Sequence, residues 1–154
     1  METTNILAQV AEIELIYKSK VKASDRPKVT TSHDAYEMFK QNWDENKIEF
    51  VEQFKVLFLN RANKVLAIYE LSTGGVSGTV ADPKLVFAAA LKINASNIIL
   101  CHNHPSGNLK PSKADEQLTL KLKEAGRYLD LPVIDHIIIS ADSGYYSFAD
   151  EGLL

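Results

Sequence analysis

Residues 102–115, HNHPSGNLKPSKAD, carry two histidines one residue apart, followed by a loop and the expected start of a helix, and the rest of the fold is best understood from them. The apolar run just before it, residues 97–101 (NIILC), is typical of a buried strand. Because alternate side chains of an extended chain point to the same side, we expect His102 and His104 on one face. Pro105 favours an extended conformation at His104, which preserves this arrangement.

Asp115 completes a plausible set of metal ligands from the start of the next helix. Two imidazoles and one carboxylate, with a fourth position left for water, are typical of a catalytic zinc site rather than a structural one. A simpler interpretation is also open, because Ser112-x-x-Asp115 is a helix-capping pattern ahead of the apolar positions Leu118, Leu122, Ala125 and Leu129. The two interpretations are compatible, since a carboxylate in the first helical turn can serve the cap and still reach a metal.

The spacing of these residues resembles a known motif. His102-Asn103-His104, then seven residues, Ser112, two residues and Asp115 is similar to the H-x-H-x7-S-x2-D motif of the JAMM, or MPN-type, metalloproteases. The stretches HNHPSG, PSKAD and DHIII resemble the RadC branch of that superfamily, whose members have long been labelled DNA-repair proteins. The resemblance covers roughly residues 50–154.

This resemblance implies a cytidine-deaminase-like JAB/MPN fold and a zinc-dependent metallohydrolase with one Zn²⁺ per chain. Its substrate would be a peptide or a protein, cleaved at a peptide or isopeptide amide. Asn103 departs from the Ser or Thr that is usual between the two histidines in JAMM enzymes, although the RadC branch shows Asn there. That departure leaves the ligand set intact and weakens the case for peptidase activity.

The resemblance also assigns roles to two residues outside the ligand set. JAMM enzymes take their general base from a glutamate on an upstream strand, and spacing alone leaves Glu52 and Glu70 as candidates. The family shows Glu-x-Phe before an apolar strand, which matches Glu52-Gln53-Phe54, so we predict Glu52. Ser112 resembles the family serine whose hydroxyl stabilises the tetrahedral oxyanion.

Two other classes of function are weaker. A nucleoside-type deaminase needs H-x-E with a distant P-C-x-x-C, but Cys101 is the only cysteine. A non-catalytic DNA-repair or nucleic-acid-binding module has some support from the basic residues between Lys18 and Lys28. The net charge of −3 and the lack of a recognisable binding motif argue against it.

Length and composition are those of one soluble domain. A chain of 154 residues can bury a sizeable core. A lone cysteine agrees with a reducing cytoplasm, and no N-terminal run is apolar enough for a signal peptide or a membrane span. RadC-like proteins often carry an N-terminal helical domain, and we expect this chain to resemble the stand-alone catalytic form. The sequence does not determine the oligomeric state.

We expect residues 1–30 to form an N-terminal extension or strand of the same domain and residues 31–154 to form the metallohydrolase domain. The alternation of Ile13, Leu15 and Tyr17 with charged residues favours a strand, and Ser32 is the expected cap of an aromatic-faced helix. The pattern continues with a hairpin over 48–71, a helix after the Asp82-Pro83 pair that buries Leu85, Val86, Ala89 and Ile93, and a strand over 97–101. A helix over 113–129 and strands over 132–140 and 144–148 follow.

This order predicts an α/β fold with a mixed β-sheet flanked by helices on both faces. Two residues near the predicted site keep open interpretations. Asp135-His136 could orient a ligand imidazole or could simply be a pair at a strand end. Cys101 is expected on the side of its strand opposite His102, in the core.

Overall fold

The computed structural model describes residues 10–14, 16–75 and 80–154. A short 3-10 turn at Ala23–Asp25 precedes the regular elements. These are α1 (Ser32–Gln41), β1 (Gln53–Leu59), β2 (Val65–Thr73), α2 (Pro83–Lys92), β3 (Asn97–Asn103), α3 (Lys113–Tyr128), β4 (Val133–Ile139) and β5 (Tyr145–Ser147).

The five strands form one sheet in the order β2-β1-β3-β4-β5. β1 is antiparallel to both β2 and β3, and β5 is antiparallel to β4. β3 and β4 are parallel and are connected through α3, as a parallel pair requires a crossover. The parallel pairing brings the carboxyl ends of β3 and β4 to the same edge of the sheet, where the chain leaves β3 for the start of α3.

Helices cover both faces of this mixed sheet, which confirms the predicted fold class. On one face, α2 and α3 pack over a cluster that includes Phe54, Val56, Phe58, Val86, Phe87, Ile98, Leu100 and Leu122. On the other face, α1 contributes to a second cluster, the α1-side cluster, which includes Tyr36, Phe39, Trp43, Leu57, Ile99, Cys101, Ile137 and Ile139. Side chains of β1 and β3 alternate between the two clusters, so each strand is buried on both sides.

Several local predictions need correction. The cap of α1 is Thr31 rather than Ser32, because the Thr31 side chain accepts from the Asp34 N–H at 3.1 Å and Asp34 accepts from the Thr31 N–H at 3.0 Å. Residues 48–50 form turns, residues 51–52 belong to no strand, and β1 begins only at Gln53. In α2, Val86 is buried as predicted and Ala89 is partly buried, as is Ile93 just after the helix, but Leu85 is 48% exposed; Phe87 and Ala90 are the other buried residues of the helix.

The strand predicted around Ile13–Tyr17 is not formed by the described residues 10–14 and 16–22, and Leu15 lies outside them. Ile13 is 89% exposed, so the alternation in this segment does not reflect a buried face. Other contacts join the N-terminal segment to the hairpin formed by β1 and β2. The Tyr17 hydroxyl donates to the Leu66 carbonyl at 3.1 Å, and Lys28 forms a single antiparallel bridge with Lys64.

The end of α3 depends on a close approach at Gly126. A Cβ at this position would lie 2.2 Å from the Leu131 carbonyl oxygen, and the Leu131 N–H donates to the Gly126 carbonyl at 2.9 Å. We therefore expect Gly126→Ala to lower the free energy of unfolding by about 1–3 kcal/mol, since backbone must move to admit the methyl group. Urea unfolding followed by circular dichroism measures this change.

Gly75→Ala is the control for that measurement, because a Cβ at Gly75 would meet no atom within 4 Å. A Gly126→Ala protein as stable as the Gly75→Ala protein would show that the end of α3 and Leu131 can move apart to admit a methyl group at little cost.

Candidate metal centre

Four side chains converge where β1 begins, β3 ends and α3 begins. One potential ligand atom from each of Glu52, His102, His104 and Asp115 lies within 4.8 Å of the others. The Nε2 atoms of His102 and His104 are 3.0 Å apart. The two carboxylate oxygens of Asp115 are each 3.3 Å from one of these nitrogens, Oδ1 from His102 and Oδ2 from His104.

His102 is buried at the end of β3, where its ring stacks on Phe54 with the centroids 6.0 Å apart. Its Nδ1 lies 2.7 Å from Nε2 of His136 on β4. The other ring nitrogen of His136, Nδ1, lies 2.6 Å from the Thr119 hydroxyl oxygen on α3. That hydroxyl lies 2.6 Å from the backbone carbonyl of Asp115, so a chain of hydrogen bonds connects three elements.

The direction of this chain follows from its last member. A carbonyl can only accept, so Thr119 donates its hydroxyl proton to Asp115 and accepts from Nδ1–H of His136. Complete burial holds the pKa of His136 well below its usual range, so this ring is neutral and its Nε2 has no proton. His136 Nε2 then accepts from Nδ1–H of His102, which leaves Nε2 of a neutral His102 with a free lone pair.

His104 is oriented by the loop that follows it. Its backbone N–H donates to the Ile139 carbonyl at 3.0 Å, and its Nδ1–H donates to the Asn108 carbonyl at 2.5 Å. The loop can return in this way because Gly107 adopts a φ of +84°, which a side chain would disfavour. The neutral His104 ring therefore also presents the lone pair of Nε2 to the cluster.

Asp115 is both a helix cap and a member of the cluster. The Ser112 hydroxyl accepts from the Asp115 N–H at 3.0 Å, and Asp115 Oδ2 accepts from the Ser112 N–H at 2.8 Å. Burial alone would raise the pKa of the Asp115 carboxyl. Hydrogen bonds that the His102 and His104 rings donate when Nε2 carries a proton, together with the Ser112 N–H, outweigh it and hold that pKa well below its usual range. Both interpretations of the Ser112-x-x-Asp115 pattern therefore describe the same side chain.

Glu52 precedes β1 and is held by the end of the hairpin, where its carbonyl accepts from the Gly74 N–H at 2.8 Å. Burial raises the pKa of the Glu52 carboxyl, the two ligand histidines oppose this, and the Asp115 carboxylate adds to it. Glu70, the other candidate base, is exposed and outside the cluster. It accepts a hydrogen bond from the Gln53 side chain, one residue after Glu52.

The donor set fits a zinc ion. Two imidazole nitrogens with free lone pairs and an ionised carboxylate converge on one point, and such lone pairs repel one another unless a cation or a proton lies between them. Imidazole and carboxylate ligands with a remaining position for water are the usual set of a catalytic zinc. Glu52 lies within the same 4.8 Å cluster, where it can contact a water in that position.

The remaining residues singled out from the sequence are Cys101, Ser112, Asp135 and His136. Cys101 is fully buried in the α1-side cluster, as expected. Ser112 caps α3, and its hydroxyl can still donate because the capping bond uses the oxygen as an acceptor. Asp135 and His136 have different tasks. His136 contacts His102, whereas Asp135 accepts from the Ser147 hydroxyl at 2.7 Å and from the Ala149 N–H at 3.1 Å, which secures the chain after β5.

Sequence reasoning did not find Thr119 and left His136 undecided. His136 follows an aspartate in an apolar strand, and only the pairing of Leu100 with His136 across the parallel strands places it behind His102. Thr119, four residues after Asp115, is the one further polar position of α3 that faces the sheet and is buried. A polar residue one helical turn after a predicted ligand is the signal that could have suggested it.

A family model described as the RadC-like JAB domain matches residues 29–153. The chain belongs to the RadC-like JAB domain family. The UPF0758 protein of Flavobacterium johnsoniae is 48% identical over 126 residues, which are 82% of this chain and 53% of that protein. UPF0758 proteins of Porphyromonas gingivalis and Nitrosococcus oceani are each 48% identical over 103 residues, or 67% of this chain, and the match covers 45% and 46% of their lengths.

The chain thus spans about half the length of the curated relatives it matches. The match begins at residue 29, just before α1, and ends one residue before the last. The four clustered side chains of this RadC-like JAB domain all lie inside the matched region. In the described part of the chain, no helix has the length and apolar character needed to cross a membrane.

The orientation of His102 by His136 predicts the strength of zinc binding. In His136→Leu the hydrogen bond to Nδ1 of His102 is lost, and we expect the zinc dissociation constant to rise about 10–100-fold. Competition with a coloured zinc chelator measures this constant. Phe148→Leu is the matched control, because Phe148 stacks on the His136 ring at 4.7 Å without donating to it. Equal zinc affinities for folded His136→Leu and wild type would refute this role.

Proton competition at His104 predicts the pH dependence of zinc binding. Burial alone would lower the pKa of His104, but hydrogen bonds to Asp115 and Asn108 and the charges of Asp115 and Glu52 raise it overall. Zinc needs the deprotonated ring, so apparent affinity should fall about tenfold per pH unit below that raised pKa. It should level off above it, where no proton is displaced.

Calorimetric zinc titrations at pH 6, 7 and 8, each in two buffers of different ionisation enthalpy, would count the protons released. The Asp115 carboxyl is ionised throughout this range because its pKa is held low, so it releases none. The same affinity at all three pH values, with no proton release, would contradict this account of His104.

Proposed function

We propose that this RadC-like JAB domain is a zinc-dependent hydrolase of the JAMM type that cleaves an amide bond, in a peptide or an isopeptide, with an activated water. The observation that supports this proposal most is the position of Glu52. A half-buried carboxylate with a raised pKa lies within 4.8 Å of a His-His-Asp donor set whose lone pairs point inward. A purely structural metal site would have no use for such a base.

His102, His104 and Asp115 would hold the ion, and Glu52 would remain a free carboxylate beside it. Zinc, when bound, supplies Lewis acidity, which lowers the pKa of a coordinated water to ~7 and polarises a carbonyl oxygen. The chain itself supplies the proton transfers and the orientation of the ligands.

Glu52 takes the proton of the attacking water and later returns it to the departing amine. Its raised pKa suits both tasks, because proton transfer is most efficient when the pKa of the base approaches the working pH. Ser112 would donate its hydroxyl proton to the developing oxyanion, since its oxygen is already fixed by the Asp115 N–H.

The substrate class in this proposal is a peptide or a protein. The single cysteine is buried and free, which suits a reducing compartment, and we infer a cytoplasmic location. The nucleic-acid-binding alternative stays a prediction. The basic residues end at Lys28, which pairs with Lys64 just before β2. Glu52 lies at the opposite end of that strand, where its carbonyl accepts from the Gly74 N–H. The structure therefore gives the basic residues no contact with the cluster.

The proposal predicts opposite outcomes for two similar substitutions. Glu52→Gln should retain zinc and lose about 10²–10⁴-fold in turnover, because the amide cannot accept the proton of water. Glu70→Gln should retain both its zinc and its turnover, because Glu70 bonds to Gln53 outside the cluster. Zinc-loaded protein would be assayed on a library of internally quenched peptides and on lysine-isopeptide probes, with zinc content measured on the same samples.

Retained turnover in Glu52→Gln would refute its role as the base. Loss of turnover in Glu70→Gln, with Glu52→Gln active, would move that role to Glu70. A wild-type protein that binds zinc but cleaves neither class of probe would contradict amide hydrolysis as the activity.

A further inference from the structure

Asn103, the residue between the two histidines, projects to the opposite side of the sheet from them. Its side chain is completely buried on the face that α1 covers. Its oxygen Oδ1 lies 2.7 Å from the backbone N–H of Gln53. Its amide nitrogen donates to the carbonyls of Ile48 and Val51, at 2.8 and 2.9 Å.

The three partners fix the orientation of this amide without ambiguity. A backbone N–H can only donate and backbone carbonyls can only accept, so the oxygen must face Gln53 and the nitrogen must face Ile48 and Val51. Both amide protons are used. All three bonds reach the single segment 48–53, which contains Glu52.

Strand pairing explains why a side chain is needed at this point. The register between β1 and β3 ends at the pair Phe54–His102, while β3 continues to pair with β4 as far as Asn103 and Ile139. Gln53 thus has no backbone partner on β3, and the Asn103 side chain takes that place. β1 and β3 can therefore diverge here, beside the candidate metal centre, without leaving the buried N–H of Gln53 unpaired.

The segment has few other anchors. Residues 47–50 form turns and residues 51–52 belong to no helix or strand. Phe50 is 68% exposed, and Ile48 is the one side chain of this stretch in the α1-side cluster. On the hairpin side, the Glu52 carbonyl accepts from the Gly74 N–H at 2.8 Å and the Glu52 N–H donates to the Gly75 carbonyl at 3.5 Å. The Asn103 amide is therefore the main polar contact that joins the segment to the strand carrying His102 and His104.

We propose that Asn103 is a positioning residue that fixes the segment 48–53 from the opposite face of the sheet, so that Glu52 points at the His-His-Asp cluster. This inference rests on the proposed function, in which Glu52 is the base. Serine or threonine at this position has one donor and a shorter reach, so neither can bond three backbone groups. Aspartate has no donor for the two carbonyls.

The test compares Asn103→Ser, Glu52→Gln and the double variant. If Asn103 acts through Glu52, we expect Asn103→Ser to lower kcat about 10²-fold, since a misplacement of about 1 Å can have that effect. It should leave KM and zinc content near wild type, because the ligands are unchanged. The double variant should be no slower than Glu52→Gln alone, because the second substitution removes nothing further.

Ser147→Ala is the matched control, since it removes a buried hydroxyl that bonds Asp135 on the same sheet but does not contact segment 48–53. It should match Asn103→Ser in its loss of thermal stability and should keep wild-type kcat. A fall in kcat of Ser147→Ala equal to that of Asn103→Ser would attribute the effect to general destabilisation. Losses that multiply in the double variant would equally overturn the proposal.

Hydrogen exchange gives a second readout that needs no substrate. In the wild-type protein the backbone N–H of Gln53 should exchange as slowly as that of Phe54. In Asn103→Ser the exchange of the Gln53 N–H should accelerate, while the amides of β4 stay protected. A fast Gln53 amide in wild type overturns the proposal even if no Asn103 variant folds. If wild type shows slow exchange but no zinc binding or turnover, the proposed function fails and the anchoring by Asn103 stands.

Discussion

Two imidazole nitrogens that face each other and a carboxylate need a cation or a proton between them, and the rest of the site depends on this constraint. The Nε2 atoms of His102 and His104 lie 3.0 Å apart, and neither ring is free to turn away. His102 is fixed by a buried chain through His136 and Thr119, and His104 by the carbonyl of its own loop. A proton on His104 is the natural competitor of the metal.

The two faces of the sheet contribute different residues to the site. The face under α2 and α3 carries the inward-pointing ligands, because His102 follows Leu100 and Ile98 in the alternation of β3. The opposite face carries Asn103, whose amide bonds three backbone groups of segment 48–53, which ends at the first residue of β1. The proposed ligands and the proposed base thus come from different parts of the sheet, and Asn103, between the two histidines, bonds to the segment that carries Glu52.

Local sequence rules predicted that His102, His104 and Asp115 lie together, because each rule acts over a few residues. Strand alternation places His102 and His104 together, and a helix cap places Asp115 in the first turn of α3. The partners that orient these ligands depend on pairing between distant parts of the chain. His136 is 34 residues from His102, and Ile48 is 55 residues from Asn103. No local pattern in one sequence contains that information, so the uses of His136, Thr119 and Asn103 emerged only from the fold. The failed strand around Ile13 shows the converse, because alternation without a partner strand predicts nothing.

The most direct test of the central claim is the zinc content of the purified, zinc-reconstituted chain by elemental mass spectrometry, beside a His102→Ala/His104→Ala double variant. We expect about one zinc per wild-type chain and none in the double variant, because the donor set supplies a single site. Circular dichroism of both proteins would establish that each is folded. A folded wild-type chain that retains no zinc after reconstitution, or a double variant that retains as much as wild type, would contradict the metal centre.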